Sequence, residues 1–170
     1  VLQERAVERR AAKRKLGQPG DGPDDGASSA VIEKLRSTLQ RDSSAQRRLE
    51  ALWTLHVIGG TDPATLGNLM SDTDEHVRHW AVRLALDGEA GEDAFIRRTL
   101  VEMAQRAASA LVRLALAGGL QRLPLEARWP IAEALIERGE DADDANIPTM
   151  VWLGIEPLVQ VDRDRFLAMA

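Results

Sequence analysis

Apolar residues recur along this chain at the spacing of short amphipathic helices. Positions three or four residues apart form stripes on one helical face: Val31, Leu35 and Leu39 in one case, and Val77, Trp80, Ala81 and Leu84 in another. No segment shows the sustained alternation of apolar and polar residues that a half-buried strand requires. The pattern therefore predicts an all-α protein in which one short helix follows another.

Turn and capping residues predict several helix ends. Gly59 and Gly60 follow a helix over residues 45–58, and glycine accepts the left-handed conformation past a helix end. Asp62 followed by Pro63 has the form of an N-cap and a first-turn proline. Asp72 and Glu75 have the spacing of a capping box, and further helices are predicted over residues 92–106, 108–122, 130–138 and 146–160.

Three helices begin with similar sequences and bring Arg48, Arg78 and Arg113 into register, at spacings of 30 and 35 residues. Periods of this length are typical of solenoids built from helical hairpins, in which each hairpin completes its core against the next. We therefore predict an α-α superhelix, a HEAT/armadillo-like α-solenoid of stacked helical hairpins. In HEAT repeats this arginine pairs with an aspartate of a neighbouring turn, so the resemblance makes Asp72 and Asp74 candidate ladder partners for the three arginines.

Composition divides the chain into three parts. Residues 1–16 are predicted to form a basic helix that ends a preceding element, and residues 17–29 a flexible Gly/Pro/Asp linker. Residues 30–170 are predicted to form the helical-repeat domain. The chain begins without methionine and stops within a helical pattern, so we expect it to be a piece of a longer protein.

Charge and cysteine content disfavour or exclude several classes of function. The net charge of −5 disfavours a nucleic-acid-binding protein, which needs a basic face to replace phosphate counterions. The chain has no cysteine, which excludes disulfides, thiolate metal sites and covalent haem attachment within it. No apolar run has the length of about 18 residues that a membrane-spanning helix needs, so direct membrane insertion is not expected.

The acidic stretch "GEDADDAN" (139–146) raises the question of a cation-binding loop. An EF-hand that began at Asp141 would have Ala145 and Asn146 where an oxygen ligand and a glycine are required, and Trp152 where glutamate is required. We interpret the stretch as the solvated entrance to a helix that Asp144 or Asn146 caps.

The histidines suggest a groove. His76, His79 and Arg83 share one helical face without a third metal ligand, so we predict groove-lining residues and no metal site. Glu75 is expected to pair with Arg78 or His79 on the helix surface. No nucleophile motif accompanies the histidines, and we predict no catalytic residue and no cofactor-binding residue in this chain.

The glycines and tryptophans indicate where helices pack against one another. Gly67 and the pair Gly118–Gly119 predict a helix kink or a close approach between helices. The tryptophans are predicted to be packing residues of successive layers: Trp53, Trp80, Trp129 and Trp152.

Four stretches together resemble a more specific family: "LEALWTLHVIGG", "SDTDEHVRHWAVRLALDG", "LQRLPLEARWPIAEALIERGEDADD" and "NIPTMVWLGIEPLV". They are similar to the HEAT-like segment of the large multidomain haem-c, membrane-bound dehydrogenase-like proteins of planctomycete-type bacteria. In that family a β-propeller precedes the helical segment and a haem-c domain follows it. The resemblance implies an exported, periplasmic protein whose haem lies outside this chain, since no CxxCH motif occurs here.

The predicted function is a non-catalytic scaffold or protein-interaction segment of a larger redox protein. Its partners would be other domains of the parent chain or a separate protein. The alternative is a fragment that contributes to a cofactor or metal redox site of a dehydrogenase-like enzyme, and a helical nucleic-acid-binding module is the third hypothesis.

Overall fold

The structure is a computed structural model that describes residues 25–169. These residues form nine α-helices and no β-strand, which confirms the predicted all-α class for this part of the chain. The predicted basic helix and residues 17–24 of the predicted linker lie outside the described residues. The first described helix begins at Asp25, inside the predicted linker and ahead of residue 30.

The helices are α1 (Asp25–Arg41), α2 (Ala45–Val57), α3 (Pro63–Leu69), α4 (Glu75–Asp87), α5 (Ala94–Arg106), α6 (Ala110–Gly119), α7 (Leu125–Ile136), α8 (Ile147–Ile155) and α9 (Arg163–Met169). Short 3₁₀ turns follow four of them: Glu89–Glu92, Leu120–Arg122, Gly139–Asp141 and Glu156–Gln160. No helix among the described residues is long and apolar enough to cross a membrane.

The chain divides into two compact units, with Thr61 at the end of the first and Asp62 at the start of the second. In the first unit α1 packs against α2, and the buried apolar side chains are Leu39, Ala51, Leu52 and Leu55. Gly59 closes α2 as predicted, with φ of 74° in the left-handed region. The Gly60 N–H then donates to the Leu55 carbonyl at 2.7 Å.

In the second unit the helices form two series. Helices α3, α5 and α7 contact one another in that order, and α4, α6 and α8 do the same. Each helix of the first series also contacts the one that follows it in the chain. Both series contribute fully buried side chains to the core, among them Val77, Val82, Ile96, Leu100, Leu116, Trp129 and Ile131.

Helix α9 contacts α7 through the side chain of Arg165. Arg165 Nη2 is 2.8 Å from Glu133 Oε1, and its guanidinium lies 4.6 Å from the centroid of the Trp129 ring. Phe166, the next residue, is buried and meets the Trp152 ring edge to face. The end of the described chain therefore packs on the last helix pair of this unit.

The predicted helix over residues 130–138 is wrong at its start, because α7 begins at Leu125 and contains Pro130. Proline has no N–H and costs the helix one internal hydrogen bond. Burial of Trp129 and Ile131 offsets this cost. The buried Arg128 guanidinium also stabilises the start of α7, since it donates to the carbonyls of Gln121, Leu123 and Gly154. Its burial lowers the pKa of Arg128.

Candidate functional site

The three arginines in register make the same local contacts. Each donates from Nη1 to the main-chain carbonyls five and six residues before it, at 2.6–3.4 Å. The acceptor pairs are Asp42 and Ser43 for Arg48, Asp72 and Thr73 for Arg78, and Ala107 and Ala108 for Arg113. The capping residue lies four positions before each arginine: Ser44, Asp74 and Ser109. One local element is therefore repeated three times.

The predicted capping box of Asp72 and Glu75 is wrong. Asp74 caps α4, because its Oδ1 accepts hydrogen bonds from the N–H groups of His76 and Val77 at 2.9 and 3.1 Å. The Asp72 carboxylate instead accepts from the Asp74 N–H at 2.8 Å, and its carbonyl accepts from the arginine of α4. Glu75 reaches away from its own helix.

Glu75 joins α4 to α6. Its Oε2 accepts a hydrogen bond from the hydroxyl of Ser109, the residue that caps α6. The sequence predicted a partner within α4, either Arg78 or His79, because residues three or four positions apart are neighbours on a helix. The observed partner lies 34 residues away and becomes a neighbour only when α4 and α6 pack together.

Arg113 also forms a buried salt bridge with Asp141, in the turn that follows α7. Its Nε lies 2.5 Å from Oδ2 of Asp141, and its Nη2 lies 2.7 Å from Oδ1. Both side chains are buried, with 5% and 7% of their surface exposed. The hydrogen bond to Asp141 raises the pKa of Arg113 above its ordinary value against the opposing effect of burial. Asp141 was not among the predicted ladder partners.

The acidic stretch therefore has two roles. The expectation that its carboxylates lie in solvent is wrong for Asp141. The helix-entrance interpretation is confirmed for Asp144, whose Oδ1 accepts from the N–H groups of Asn146 and Ile147 at 2.8 and 2.9 Å. Both hydrogen bonds lower the pKa of Asp144, and the bond from the Ile147 N–H has the larger effect. Within residues 25–169, no group of three or more His, Cys, Asp or Glu side chains is placed to hold a metal ion.

A groove of about 440 Å³ crosses α4, α6 and α8, and we call it the α4–α6–α8 groove. It is lined by His79, Arg83, Leu86, Leu114, Ala115, Gly118, Gly119, Arg122, Asn146 and Met150. Its volume falls within the range of about 300–1,000 Å³ that is typical of ligand sites. Two of the three predicted groove residues, His79 and Arg83, belong to this lining, whereas His76 is exposed elsewhere on α4.

Packing holds the basic side chains of the groove in position. His79 Nδ1 donates to the Leu111 carbonyl at 3.0 Å, because a carbonyl can only accept. The Arg83 guanidinium lies 4.9 Å from the centroid of the Trp80 ring, in a cation–π contact. Arg122, which the sequence did not single out, forms an exposed ion pair with Asp87.

Two neighbouring glycines of α6, Gly118 and Gly119, line the groove, and they differ in the space that surrounds them. A Cβ at Gly119 would lie 2.2 Å from Leu86 Cδ1, so the predicted close approach is observed there. A Cβ at Gly118 would meet nothing within 4 Å. Gly67 also allows a close approach, since its Cβ would lie 2.3 Å from the Phe95 ring.

A second, more apolar cavity of about 300 Å³ lies between α7 and α8, near the end of the second unit. Trp152 lines it with 53% of its surface exposed, whereas Trp129 is only 1% exposed. Trp152 packs on Phe166, yet Trp152 and Trp53 are both more exposed than the predicted packing residues of successive layers would be. Tryptophan is large and apolar in either setting, so its residue type does not reveal which one will be buried.

No protein-family model matches this chain, and no curated protein or solved structure matches it either. The class of the protein is therefore defined by geometry. The described residues form an all-α structure in which a buried salt bridge connects α6 to the turn between α7 and α8, and a partly basic groove crosses α4, α6 and α8.

Proposed function

We propose that residues 62–169 form a HEAT-like helical-repeat module that acts as a non-catalytic scaffold and binds a protein partner. Two observations support the repeat. The helices contact one another in two series, and the arginines of α4 and α6 make equivalent main-chain contacts four residues after their caps. Arg48 of α2 has the same local geometry, which supports the same repeat type in the first unit.

The Arg113–Asp141 salt bridge adds to this proposal. It connects the first turn of α6 to the turn between α7 and α8, which is the position where HEAT repeats connect neighbouring hairpins. A buried ion pair adds little net stability, but it favours one register of the stacked helices because any other register leaves a buried charge unpaired.

The observation that carries the binding function is the α4–α6–α8 groove. Helices of one series in a stacked repeat present a continuous surface, and such surfaces are used to bind extended partners. Half-buried apolar side chains of its lining, Leu114 and Met150, supply contact area. His79, Arg83 and Arg122 supply directional polar contacts.

The wider setting of this module is also a proposal. The resemblance to haem-c proteins supports a place between an oxidising domain and an electron acceptor in an exported protein. Its support is the four quoted stretches of sequence, and the complete open reading frame of the parent tests it. A propeller pattern before this segment and a CxxCH motif after it are expected.

A site-specific photo-crosslinker tests the binding function. Benzoylphenylalanine would replace Leu114 in the groove and, as the control, Glu102 on the exposed surface of α5, in full-length protein expressed in its native organism. We expect the Leu114 variant, and not the Glu102 variant, to form a discrete adduct with one protein, identified by mass spectrometry. Folded variants that give the same adducts, or none, would contradict the proposal.

A further inference from the structure

We infer that the α4–α6–α8 groove receives an extended, acidic segment of the partner protein, with carboxylates placed between apolar side chains. The inference rests on the proposed function and specifies the chemistry of its partner. It depends on three features of the groove: the charges that line it, the ability of those charges to accept a new carboxylate, and the apolar surface of the same lining.

The charge of the groove differs from that of the whole chain. The chain carries a net charge of −5, yet among the described side chains the lining of the groove includes Arg83 and Arg122, together with His79, and no aspartate or glutamate. Asn146 adds an amide that donates and accepts hydrogen bonds. A groove with this lining attracts carboxylates and repels basic segments.

Both arginines are free to bind a carboxylate without disruption of the core. Arg83 is exposed and lies over the Trp80 ring, a contact that orients the guanidinium plane and leaves its N–H groups available. Arg122 and Asp87 form a pair whose side chains are 50% and 54% exposed. Exposed pairs of this kind add little stability, so a second carboxylate can share Arg122 with Asp87 or replace Asp87.

The apolar surface distinguishes a peptide from a nucleic acid. Leu114 and Met150 are half-buried, line the same groove as the basic groups and match apolar side chains of a peptide. A nucleic acid would instead require many phosphate contacts along a continuous basic surface, and two arginines are too few for this. The charge pattern therefore favours an acidic peptide in which apolar residues recur.

Selection from random short peptides displayed on phage tests the inference. We expect wild-type protein to enrich peptides rich in Asp and Glu, with apolar residues between them. A labelled consensus peptide should bind more weakly as salt rises. It should bind the Arg83→Glu, Arg122→Glu double variant about tenfold or more weakly, since arginine is a frequent hot-spot residue.

Two control variants make the result specific. Arg98→Glu reverses one charge on the exposed surface of α5 and should leave binding of the consensus peptide unchanged. Arg83→Gln, Arg122→Gln removes the charges without adding new ones, and it should weaken binding less than the double reversal does. Circular dichroism establishes that each variant is folded before its binding is compared.

Several outcomes would overturn the inference. Enriched peptides without an acidic bias that still lose binding in the groove variants would refute the acidic partner and leave the protein-binding function standing. Absence of any enriched peptide, together with absence of a crosslinked protein, would refute both. Salt-sensitive binding of DNA or RNA that depends on Arg83 and Arg122 would replace the peptide with a nucleic acid. A dimer that the charge reversal abolishes would assign the occupant to a second copy.

Discussion

At the scale of single residues, Arg113 combines two kinds of contact. It satisfies the carbonyls of Ala107 and Ala108, as the other arginines in register satisfy theirs, and it also pairs with the buried Asp141. Arg78 makes the carbonyl contacts from a half-buried position. The two arginines therefore form a matched pair that separates the effect of the salt bridge from that of the local contacts.

We expect Arg113→Leu to lower the free energy of unfolding by about 3–5 kcal/mol, because it leaves Asp141 buried and charged without a partner. Arg78→Leu should cost less, since it removes only the carbonyl contacts. The double variant Arg113→Leu, Asp141→Leu should recover much of the loss. Urea unfolding at neutral pH measures the free energy of unfolding of all three variants. Equal losses of stability in Arg113→Leu and Arg78→Leu would contradict a special role for the salt bridge.

Asp144 gives a pH-dependent prediction. Its pKa is lowered in the folded chain, so its carboxylate stabilises the fold above its unfolded pKa, and this contribution is lost as pH falls through the folded pKa. Asp144→Ala should therefore be less stable than wild type at pH 7, and the difference should disappear in acid below the ordinary aspartate pKa of about 3.9.

Asp143→Ala is the control for the pH measurement, since Asp143 is exposed and accepts no hydrogen bond among the described contacts. Denaturant unfolding over a pH series compares the two variants with wild type. If the stability difference between Asp144→Ala and wild type were the same at every pH, capping by its charged carboxylate would not be the cause.

At the scale of helices, α8 comes close to the 3₁₀ turn that follows α6, and the closest approach is at Gly154. A Cβ at this position would lie 2.5 Å from Leu120 Cβ, an atom near the backbone that has little freedom to move. The Gly154 carbonyl also accepts a hydrogen bond from Arg128 at 2.8 Å. The absence of a side chain at Gly154 therefore allows α8 to pack against the turn that follows α6.

Alanine substitutions at two glycines test this packing. Gly154→Ala should destabilise the protein by about 1–3 kcal/mol, because overpacking forces the helices apart. Gly118→Ala, where the added Cβ meets nothing within 4 Å, should instead stabilise it by about 0.4–1 kcal/mol. Thermal unfolding followed by circular dichroism measures both, and a neutral Gly154→Ala variant would contradict the close approach.

At the scale of the whole molecule, the hypothesis of a scaffold and the hypothesis of a redox fragment differ in what the purified chain should carry. We expect a helical circular dichroism spectrum, no visible absorbance band and no stoichiometric metal. Elemental analysis and an absorbance spectrum of the purified chain measure this. A chromophore or an equimolar metal ion retained through purification would favour the hypothesis that the chain contributes to a redox site.

Features that depend on contacts within a few residues were already evident from the order of amino acids. Apolar spacing predicted the all-α class. Residue types that favour helix ends predicted the glycine end of α2, the Asp62 cap and, as one of two candidates, the Asp144 cap. The register of Arg48, Arg78 and Arg113 was also visible, because each contacts carbonyls only five and six residues away.

Contacts between residues far apart in the chain depend on how the helices pack. Asp141 lies 28 residues after Arg113, and Asp87 lies 35 residues before Arg122. The chain contains many acidic residues that spacing alone cannot rank as partners for these arginines. The stacking of the helices selects the acidic partner of each arginine. It also buries Trp129, leaves Trp152 exposed and brings the groove residues together, because these properties depend on how helices pack and not on the order of residues within one helix.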